Sequence, residues 1–244
     1  MKIADNVLSV LSAGQTNGKE YTLPAVQLDR AMYVQVNKVL EAAGGKWNKK
    51  TKTHVFEADA EERMDQILTT GEVTVPRDEY EFYPTPKKVA ERVRELADIQ
   101  PGMKLLEPSA GQGALIEGLT QCYVLAIEKM PENAQFLRDN DMADTVLHAD
   151  FLEVEPDPIY DRVIMNPPFG KRQDIKHVMH ALDFLAPVGT LVAVMPSSVV
   201  FRQDKLTTDF RKLISDIEPL PEGSFKSSGT MVNTVIVVIN MRSA

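Results

Sequence analysis

The segment Leu105-Leu106-Glu107-Pro108-Ser109-Ala110-Gly111-Gln112-Gly113 lies between a predicted strand and a predicted helix. We expect a strand at 103–106 and a helix that begins at about Gly113. The glycines permit a tight turn and let a ligand approach the backbone closely. An open α/β sheet binds its ligand at this edge, so the loop is a candidate binding loop. On its own, however, the short glycine spacing favours an ordinary strand-to-helix turn.

Strands and helices alternate on both sides of this loop. We expect helices at 86–97, 131–140, 174–185 and 207–213, and strands at 103–106, 123–127, 145–147, 159–165, 189–195 and 235–239. This alternation predicts a mostly parallel sheet that helices cover on both faces. The fold class is therefore α/β from about residue 86 onward.

Residues 1–78 have a different pattern, which predicts a small α+β domain. We expect two short strands at 7–11 and 21–23, joined by a loop that contains the turn signal Asn17-Gly18. Helices at 29–43 and 60–68 flank a hairpin whose turn is at 48–51. The polar stretch Pro76-Arg77-Asp78-Glu79 is the expected boundary, so that the second domain comprises residues 79–244.

The composition excludes several classes of protein. The 244 residues are 43% hydrophobic and 25% charged, as in a typical globular chain, and no stretch approaches the ~18 consecutive apolar residues of a membrane span. The N-terminus lacks the features of a secretory signal. The single cysteine, Cys122, excludes an intramolecular disulfide and a cysteine-based zinc site. We therefore expect a cytoplasmic protein that binds no membrane.

The net charge of −8 argues against a protein that coats nucleic acid non-specifically. It still permits a local basic face. The candidate groups of cations are Lys46, Lys49, Lys50 and Lys52; Lys171 and Arg172; and Arg202 and Lys205. Each group is also compatible with an ordinary solvated surface.

Two acidic residues follow predicted strands. Glu128 comes directly after the strand at 123–127, 15 to 17 residues beyond the two glycines. This is close to the spacing of roughly 20 residues at which an acid commonly binds ribose hydroxyls. Asp150 follows the next strand and precedes Phe151. Its carboxylate is suited to accept a hydrogen bond from an adenine amino group while the ring packs on the base. A helix N-cap at Asp150 with a buried Phe151 is an equally good interpretation.

The tetrapeptide Asn166-Pro167-Pro168-Phe169 is the most informative motif. Two consecutive prolines donate no hydrogen bonds and restrict the preceding residue, so they hold a rigid, extended loop after the strand at 159–165. The Asn166 side-chain oxygen and the Pro167 carbonyl can both accept hydrogen bonds from one amino group. Phe169 offers a face on which a planar group can stack.

These four motifs, in this order, resemble those of class I methyltransferases that methylate the amino group of adenine in DNA. Phe82-Tyr83-Pro84-Thr85-Pro86 resembles the family's cofactor-binding segment, and its position before the glycine loop matches the gamma arrangement of these enzymes. Ser224-Phe225-Lys226-Ser227 resembles the late motif that adds a second aromatic side chain to the target pocket. The resemblance covers residues 82 to about 240 and implies a Rossmann-like domain with a mostly parallel seven-stranded sheet.

The resemblance implies S-adenosylmethionine as the cofactor. The residues expected around its methionine part are Tyr83, Thr85, Pro86, Glu107, Pro108, Ser109, Ala110, Gly111 and Gly113. Glu128 is expected to bind the ribose. The residues expected around the adenine ring are Lys129, Met130, Asp150 and Phe151. No metal and no general base are implied, because the methyl donor is already activated.

At the target, the resemblance implies that Asn166 and the Pro167 carbonyl bind the amine, on a loop that Pro168 keeps rigid. Asn166 is then also next to the cofactor. Phe169 and Phe225 are expected to enclose the base, which must leave a duplex before an enzyme can reach it.

The chain departs from the family in one respect. Gamma enzymes with strict sequence specificity usually carry a large recognition domain after the late motif, whereas this sequence ends soon after its last predicted strand. We therefore expect specificity to be short, relaxed, or supplied by a partner or a second copy of the chain. The candidates for target contact are Lys171 and the basic hairpin, residues 46–52, with Lys46, Trp47, Lys49, Lys50 and Lys52. A core position for Trp47 with solvated lysines is an equally good interpretation.

Three kinds of function are compatible with the motifs. The segment 83–86 and Phe225 favour adenine in DNA as the acceptor. Methyltransferases that act on an RNA base or on a glutamine amide of a protein also hold a planar nitrogen with Asn-Pro-Pro-aromatic, so that motif alone does not separate them. A non-catalytic protein that keeps the fold and binds nucleic acid or another protein is the alternative of a different class. The intact motif at 166–169 argues against it.

Overall fold

The computed structural model describes residues 2–56, 59–73 and 83–241. The chain divides into two compact units: unit 1 comprises residues 1–79 and 196–211, and unit 2 comprises residues 80–195 and 212–244. The expected boundary at 78/79 lies outside the described residues, as does Phe82. The sequence does not indicate that residues 196–211 group with unit 1.

Both units combine helices with a β-sheet. In chain order, the described helices are α1 (Asp5–Ser12), α2 (Arg30–Ala42), α3 (Ala60–Thr70), α4 (Lys87–Ala97), α5 (Pro131–Asp139), α6 (Gln173–Leu182), α7 (Ser198–Phe201) and α8 (Lys205–Arg211). The described strands are β1 (Gln15–Asn17), β2 (Glu20–Thr22), β3 (Lys46–Asn48), β4 (Thr53–Val55), β5 (Lys104–Glu107), β6 (Tyr123–Glu128), β7 (Thr145–His148), β8 (Tyr160–Met165), β9 (Leu185–Pro196), β10 (Asp216–Pro219) and β11 (Thr234–Asn240).

Unit 1 contains an antiparallel sheet with the strand order β1-β2-β4-β3. Helices α1, α2 and α3 each bury one apolar face in a shared core. The larger side chains of this core are Val7, Leu8, Leu11, Tyr21, Val36, Leu40, Phe56, Met64, Ile67 and Leu68. The Tyr21 hydroxyl donates a hydrogen bond to the Leu11 carbonyl at 2.8 Å, which satisfies its polar end inside the core.

The strand expected at 7–11 is wrong, because these residues belong to α1. Val7, Leu8 and Leu11 are buried at a spacing that places them on one face of a helix. Periodicity alone does not distinguish a short buried strand from a helix. The hairpin at Asn17-Gly18 is present, but its first strand is β1, which pairs with β2.

The helices expected at 29–43 and 60–68 and the second hairpin are present. α2 begins where the Asp29 side chain accepts a hydrogen bond from the Met32 backbone at 2.8 Å. β3 and β4 form the second hairpin. α3 ends at Gly71, whose left-handed φ of 67° is typical of the glycine that follows a helix.

Residues 196–211 join unit 1 through a buried ion pair. Arg202 Nη1 lies 2.7 Å from Asp65 Oδ1, and the two side chains are 7% and 4% exposed. Phe201 packs against the core of the unit, and its carbonyl accepts a hydrogen bond from the Ser12 hydroxyl. A buried charge that loses its partner is strongly destabilising, so this pair should stabilise unit 1 against separation of its two segments.

Unit 2 contains a sheet with the strand order β10-β11-β9-β8-β5-β6-β7. The pairs β5–β6, β5–β8, β6–β7 and β8–β9 are parallel, and β10 and β11 are antiparallel. The predicted α/β fold with a mostly parallel seven-stranded sheet is therefore confirmed. Within the described ranges, no helix has both the length and the apolar character that a bilayer span requires.

The centre of this sheet is buried on both faces. Leu105 and Leu106 on β5 and Val163 and Ile164 on β8 are all 0% exposed. Consecutive apolar residues, rather than alternating ones, are typical of parallel strands covered on both sides. This burial fixes the strand ends, from which the loops of the candidate site begin.

The helix expected at Gly113 is wrong, because residues 114–118 form turns. Gly113 and Gly118 have left-handed φ angles of 80° and 77°, which interrupt a right-handed helix. A Cβ at Gly113 would come within 2.9 Å of Leu137 on α5, so glycine also permits close packing there. The sequence does not predict β10 or α7, and β9 begins at Leu185, earlier than expected.

Candidate functional site

The candidate site lies in unit 2, at the carboxyl ends of β5, β6 and β8. β5 lies between β8 and β6, so the order of the strands reverses there. At such a switch point, the loops that follow two adjacent strands turn toward opposite faces of the sheet. A crevice forms between these loops. Glu107 and Glu128 end β5 and β6, and Asn166 directly follows β8. The structure therefore brings three of the predicted motifs to one edge of the sheet.

Glu128 connects the glycine loop to the loop after β6. Its Oε2 accepts a hydrogen bond from the Gly111 backbone at 2.7 Å, and its Oε1 accepts one from the Met130 backbone at 2.7 Å. The side chain is buried. A carboxylate offers about four lone-pair positions, so both oxygens retain capacity for a ligand hydroxyl. The ribose role of Glu128 stays a prediction.

Glu107 is a buried carboxyl group with an unpartnered oxygen. It is 2% exposed, and no described residue hydrogen-bonds to its Oε2. Burial, and then the negative charge of Glu128, raise the pKa of Glu107 well above its ordinary value, and the nearby Arg94 opposes this shift. Arg94 itself donates to the carbonyl oxygens of Ala114 and Leu115 at 3.1 and 3.2 Å. Glu107 therefore offers an acceptor to a cationic or donor group of a ligand.

Asn166 is held by the segment that precedes the glycine loop. Its Nδ2 donates to the Thr85 hydroxyl at 3.1 Å and to the Tyr83 carbonyl at 3.4 Å. These bonds use both hydrogens of the amide nitrogen. The amide oxygen, Oδ1, is buried and has no hydrogen-bond partner among the described residues. Asn166 therefore presents an acceptor of fixed orientation.

The residue after the late motif, Ser228, contacts the same upstream segment. The Ser228 hydroxyl donates to the Pro84 carbonyl at 2.6 Å, and the short turn Lys226–Ser228 follows directly on Phe225. Three segments that are distant in sequence therefore meet near Asn166 and Thr85. Ser228 carries no sequence signal for this contact, because its partner is 144 residues away.

Phe169 and Phe225 lie in the apolar core of unit 2. They are 6% and 1% exposed and belong to one buried cluster, against which Tyr83 packs. Neither ring exposes a face of the size of a base. A base enclosed by the two rings would require at least one ring to move, so this role stays a prediction.

Asp150 caps a short turn and pairs with Lys129. Its Oδ1 accepts a hydrogen bond from the Leu152 backbone at 3.1 Å, and its Oδ2 lies 2.7 Å from Lys129 Nζ. The hydrogen bond from Lys129 holds the pKa of Asp150 below its ordinary value. Phe151 is buried, as the N-cap interpretation expects. An adenine amine bound at Asp150 would share the carboxylate with Lys129.

An aromatic cluster surrounds Phe151. Its ring centroid lies 4.8 Å from that of His180, 5.2 Å from that of Phe184 and 5.8 Å from that of His177. Burial lowers the pKa of His177, which favours its neutral form. These contacts support the turn that carries Asp150. The sequence shows the apolar face of α6 but not which side chain its histidines meet.

The Asn-Pro-Pro-Phe loop ends in a strained turn. Lys171 and Arg172 have φ angles of 54° and 57°, in the left-handed region that residues other than glycine seldom adopt. Each such residue costs on the order of 1–3 kcal/mol, and strain of this kind concentrates at functional sites. Lys171 is exposed. Its contact with nucleic acid stays a prediction.

The basic hairpin belongs to unit 1 and is separate in sequence from the other site residues. Trp47 is 43% exposed, so the interpretation that places it in the core is wrong. Its lysines, Lys46, Lys49, Lys50 and Lys52, are all exposed.

Comparisons with known proteins identify the fold. No protein family model and no curated protein matches the sequence. The type I restriction-modification methyltransferase subunit from Streptococcus thermophilus matches with a TM-score of 0.58 and 17% identity over 73% of this chain and 48% of that chain. A protein assigned to the class I S-adenosylmethionine-dependent methyltransferases from Listeria monocytogenes matches with a TM-score of 0.52 and 17% identity, over 75% and 67%. A protein assigned as a type I restriction modification subunit from Vibrio vulnificus matches with a TM-score of 0.54 and 13% identity, over 98% and 65%.

At these identities the likeness shows the fold alone. The chain has the Rossmann-like fold of class I S-adenosylmethionine-dependent methyltransferases. It spans about half the length of the subunit from Streptococcus thermophilus.

Proposed function

We propose that the protein is a methyltransferase that transfers a methyl group from S-adenosylmethionine to the N6 amine of adenine in DNA. The observation that carries this proposal is the buried, unpartnered Oδ1 of Asn166, whose amide is fixed by Thr85 and Tyr83. About 90% or more of buried polar groups in proteins have a partner. An acceptor that is held in place without one therefore favours a ligand that brings a donor, and an amino group is such a donor.

The cofactor is supported by the unpartnered oxygen of Glu107. S-adenosylmethionine carries an α-ammonium group, which would supply the partner that the chain does not. Gly111 and Gly113 have φ angles of 54° and 80°, which allow the loop after β5 to turn tightly beside the proposed cofactor site. The residues proposed to complete the methionine site are Tyr83, Thr85, Pro86, Pro108, Ser109 and Ala110.

The nucleoside part of the cofactor is assigned to the loops after β6 and β7. The remaining lone pairs of Glu128 accept hydrogen bonds from the ribose hydroxyls. Lys129 keeps Asp150 ionised, so that Asp150 can accept a hydrogen bond from the adenine amine. Met130 lies in the loop after β6 and is assigned to one face of the adenine, whereas the buried Phe151 supports the turn that carries Asp150.

In the proposed reaction, Asn166 Oδ1 and the Pro167 carbonyl each accept one hydrogen bond from the target amine. These bonds favour a more tetrahedral nitrogen, whose lone pair is then available for in-line attack. The bound cofactor supplies an activated sulfonium methyl group. As the N–C bond forms the S–C bond breaks, S-adenosylhomocysteine leaves, and the extra proton on nitrogen passes to water.

Adenine in DNA is proposed from the motif order, with 83–86 before the glycine loop and Phe225 in the late motif. Two of the similar structures are named as type I restriction-modification subunits. The base leaves the duplex and enters between Phe169 and Phe225 once one of these rings has moved. A partner subunit or a second copy of the chain is then a source of sequence specificity.

The acceptor is tested with S-adenosylmethionine that carries a labelled methyl group. The full-length protein is incubated separately with DNA, RNA and protein, and the labelled product is identified by mass spectrometry after digestion. We expect N6-methyladenine from DNA and no product with Asn166→Ala. Gln135→Ala, which changes an exposed amide on α5, is the matched control and should retain activity.

The other outcomes separate the alternatives. If the labelled methyl group is found on an RNA base or on glutamine, the proposed acceptor is wrong and the proposed cofactor site is retained. Absence of cofactor binding by calorimetry would favour a non-catalytic binding protein and reject the proposal.

A further inference from the structure

The basic hairpin combines positive charge with the only tryptophan of the chain. Its lysines, Lys46, Lys49, Lys50 and Lys52, lie in a chain whose net charge is −8. The single tryptophan, Trp47, is 43% exposed. A large apolar ring that stays open to solvent among cations is a candidate binding surface.

Hydrogen bonds hold the turn of the hairpin in one conformation. The Asn48 carbonyl accepts from the Lys52 backbone at 2.8 Å, and the Asn48 side chain accepts from the Lys50 backbone at 3.0 Å. The hydroxyls of Thr51 and Thr53 lie 2.7 Å apart. A turn that is already ordered loses less entropy on binding than a flexible one. The lysines therefore extend from a preorganised backbone.

Trp47 is supported by a buried neighbour. It lies on the edge strand β3, opposite His54 on β4, and the two ring centroids are 5.0 Å apart. His54 is 0% exposed, and its Nε2 lies 2.8 Å from Asn37 Oδ1 on α2. The indole thus rests against a fixed ring while much of its surface remains open to a ligand.

Exposed indole and lysines together match one class of ligand. Lysines pair with phosphates, and an aromatic ring stacks with an unpaired base; single-strand binding surfaces combine these two features. Duplex DNA keeps its bases stacked on one another and presents mainly phosphates to such a turn, which would leave Trp47 unused. The local charge favours a polyanion over an apolar protein surface.

We propose that the basic hairpin binds a nucleic-acid strand with unpaired bases, with phosphates at Lys49 and Lys50 and one base on Trp47. This inference rests on the proposed function only in taking nucleic acid as the substrate. It assigns to unit 1 a binding role that does not require the cofactor.

Tryptophan fluorescence tests the proposal directly, because all the tryptophan emission of the full-length chain comes from Trp47. The protein is titrated without cofactor with a single-stranded DNA oligonucleotide, with RNA of the same sequence and with the matching DNA duplex. We expect the single strands to quench the emission and the duplex to quench it much less. If neither single strand quenches the emission, the proposal is wrong. Comparison of the DNA and RNA titrations identifies the preferred strand.

Variants separate the stacking from the charge, with affinity measured by anisotropy of a labelled single strand. Trp47→Ala should raise Kd by about 5- to 150-fold, the effect of losing one stacked base, and Trp47→Phe should recover much of it. Lys49→Gln/Lys50→Gln should reduce the slope of log Kd against log salt by about 1.4, at about 0.7 per phosphate contact on a single strand. Lys19→Gln/Lys104→Gln removes the same charge from exposed lysines elsewhere and should keep the slope.

Equal affinity of Trp47→Ala and the wild type, or equal salt slopes of the lysine pair and its control, would refute the proposal. Circular dichroism checks folding. Should Trp47→Ala unfold, the lysine pair decides alone, since both lysines are exposed on the turn.

The methylation assay distinguishes this proposal from the proposed function. Methylation of DNA with unchanged Trp47 emission would overturn the hairpin surface and leave the enzyme assignment intact. Quenching with a lysine-dependent salt slope, but without methyl transfer to any acceptor, would support the hairpin surface and reject the enzyme assignment.

Discussion

Replacement of Asn166 by alanine should separate catalysis from folding. The side chain donates two hydrogen bonds, at 3.1 Å to Thr85 and at 3.4 Å to Tyr83, and the second is long. Their loss costs about 0.5–1.5 kcal/mol each in free energy of unfolding. The same substitution removes a buried acceptor without a partner, whose desolvation costs about 1–3 kcal/mol. Because these effects oppose each other, we expect the free energy of unfolding to change by less than about 2 kcal/mol.

Methyl transfer should respond far more strongly. In the proposed reaction Asn166 Oδ1 contacts the nitrogen that reacts, and a fixed polar contact of this kind is worth about 10²–10³ in rate. We therefore expect kcat at saturating S-adenosylmethionine to fall by about 100- to 1000-fold. Initial rates with a labelled methyl group measure kcat, calorimetry measures cofactor affinity, and thermal melting checks the fold.

The neighbouring residues supply controls for this result. Thr85→Val keeps the Asn166 acceptor but removes one of its two anchors, so kcat should fall by about tenfold or less. Asn166→Gln should not restore activity, because one extra methylene displaces the oxygen. If Asn166→Ala methylates adenine at close to the wild-type rate in saturating cofactor, the role assigned to Asn166 is wrong.

Further substitutions test the cofactor site and unit 1. The raised pKa of Glu107 means that the folded protein binds its proton more tightly than the unfolded chain, so this group lowers stability as pH rises from the ordinary glutamate pKa toward the folded one. Thermal melts of Glu107→Gln should lack the part of the decline that Glu107 causes as the pH rises above the ordinary glutamate pKa, and calorimetry should show weaker cofactor binding. Glu128→Ala should weaken binding of S-adenosylmethionine by about 1–3 kcal/mol; an unchanged Kd would exclude Glu128 from the site. Asp65→Ala removes one of the two carboxylates that pair with the buried Arg202, because Arg202 Nε also lies 3.4 Å from Asp204 Oδ2, and should lower the free energy of unfolding by about 1–3 kcal/mol in urea. Asp209→Ala breaks an exposed pair with Lys205 and should cost less than about 1 kcal/mol; equal losses would contradict the assigned importance of the buried pair.

The seven-stranded sheet is predictable because its strands contain consecutive apolar residues. Val235–Ile239 and Leu105-Leu106 are such runs, and amphipathic helices separate the runs along the chain. The errors occur where two conformations fit the same local pattern. Val7 to Leu11 suits either a buried strand or one face of a short helix, and the packing of unit 1 selects the helix. The sequence around Gly113 is compatible with the start of a helix, but Gly113 and Gly118 both have left-handed φ angles, which prevent one.

The residues of the candidate site are more predictable than their contacts. Glu107, Glu128 and Asn166 meet because parallel strands place their carboxyl ends at one edge of the sheet. Their hydrogen-bond partners are set by distant segments: Asn166 and Thr85 are 81 residues apart, and Arg202 and Asp65 are 137 apart. Local patterns contain no information about such pairs. The sequence also does not predict the burial of Phe225, since a phenylalanine is common both in a core and on a stacking surface.

The polar side chains at this edge of the sheet differ in whether the chain itself provides hydrogen-bond partners for their oxygens. Glu128 is buried, and each of its oxygens accepts a hydrogen bond from a backbone amide, so the fold alone accounts for it. Glu107 ends β5, Asn166 directly follows the adjacent strand β8, and each keeps a buried oxygen that no described residue satisfies. Desolvation of these two oxygens costs about 1–3 kcal/mol each, and no described residue offsets it with a hydrogen bond. A ligand with donors for both oxygens would recover that free energy and stabilise the folded chain as it binds. The same two atoms that weaken the unliganded protein are therefore those on which the proposed cofactor and target amine depend.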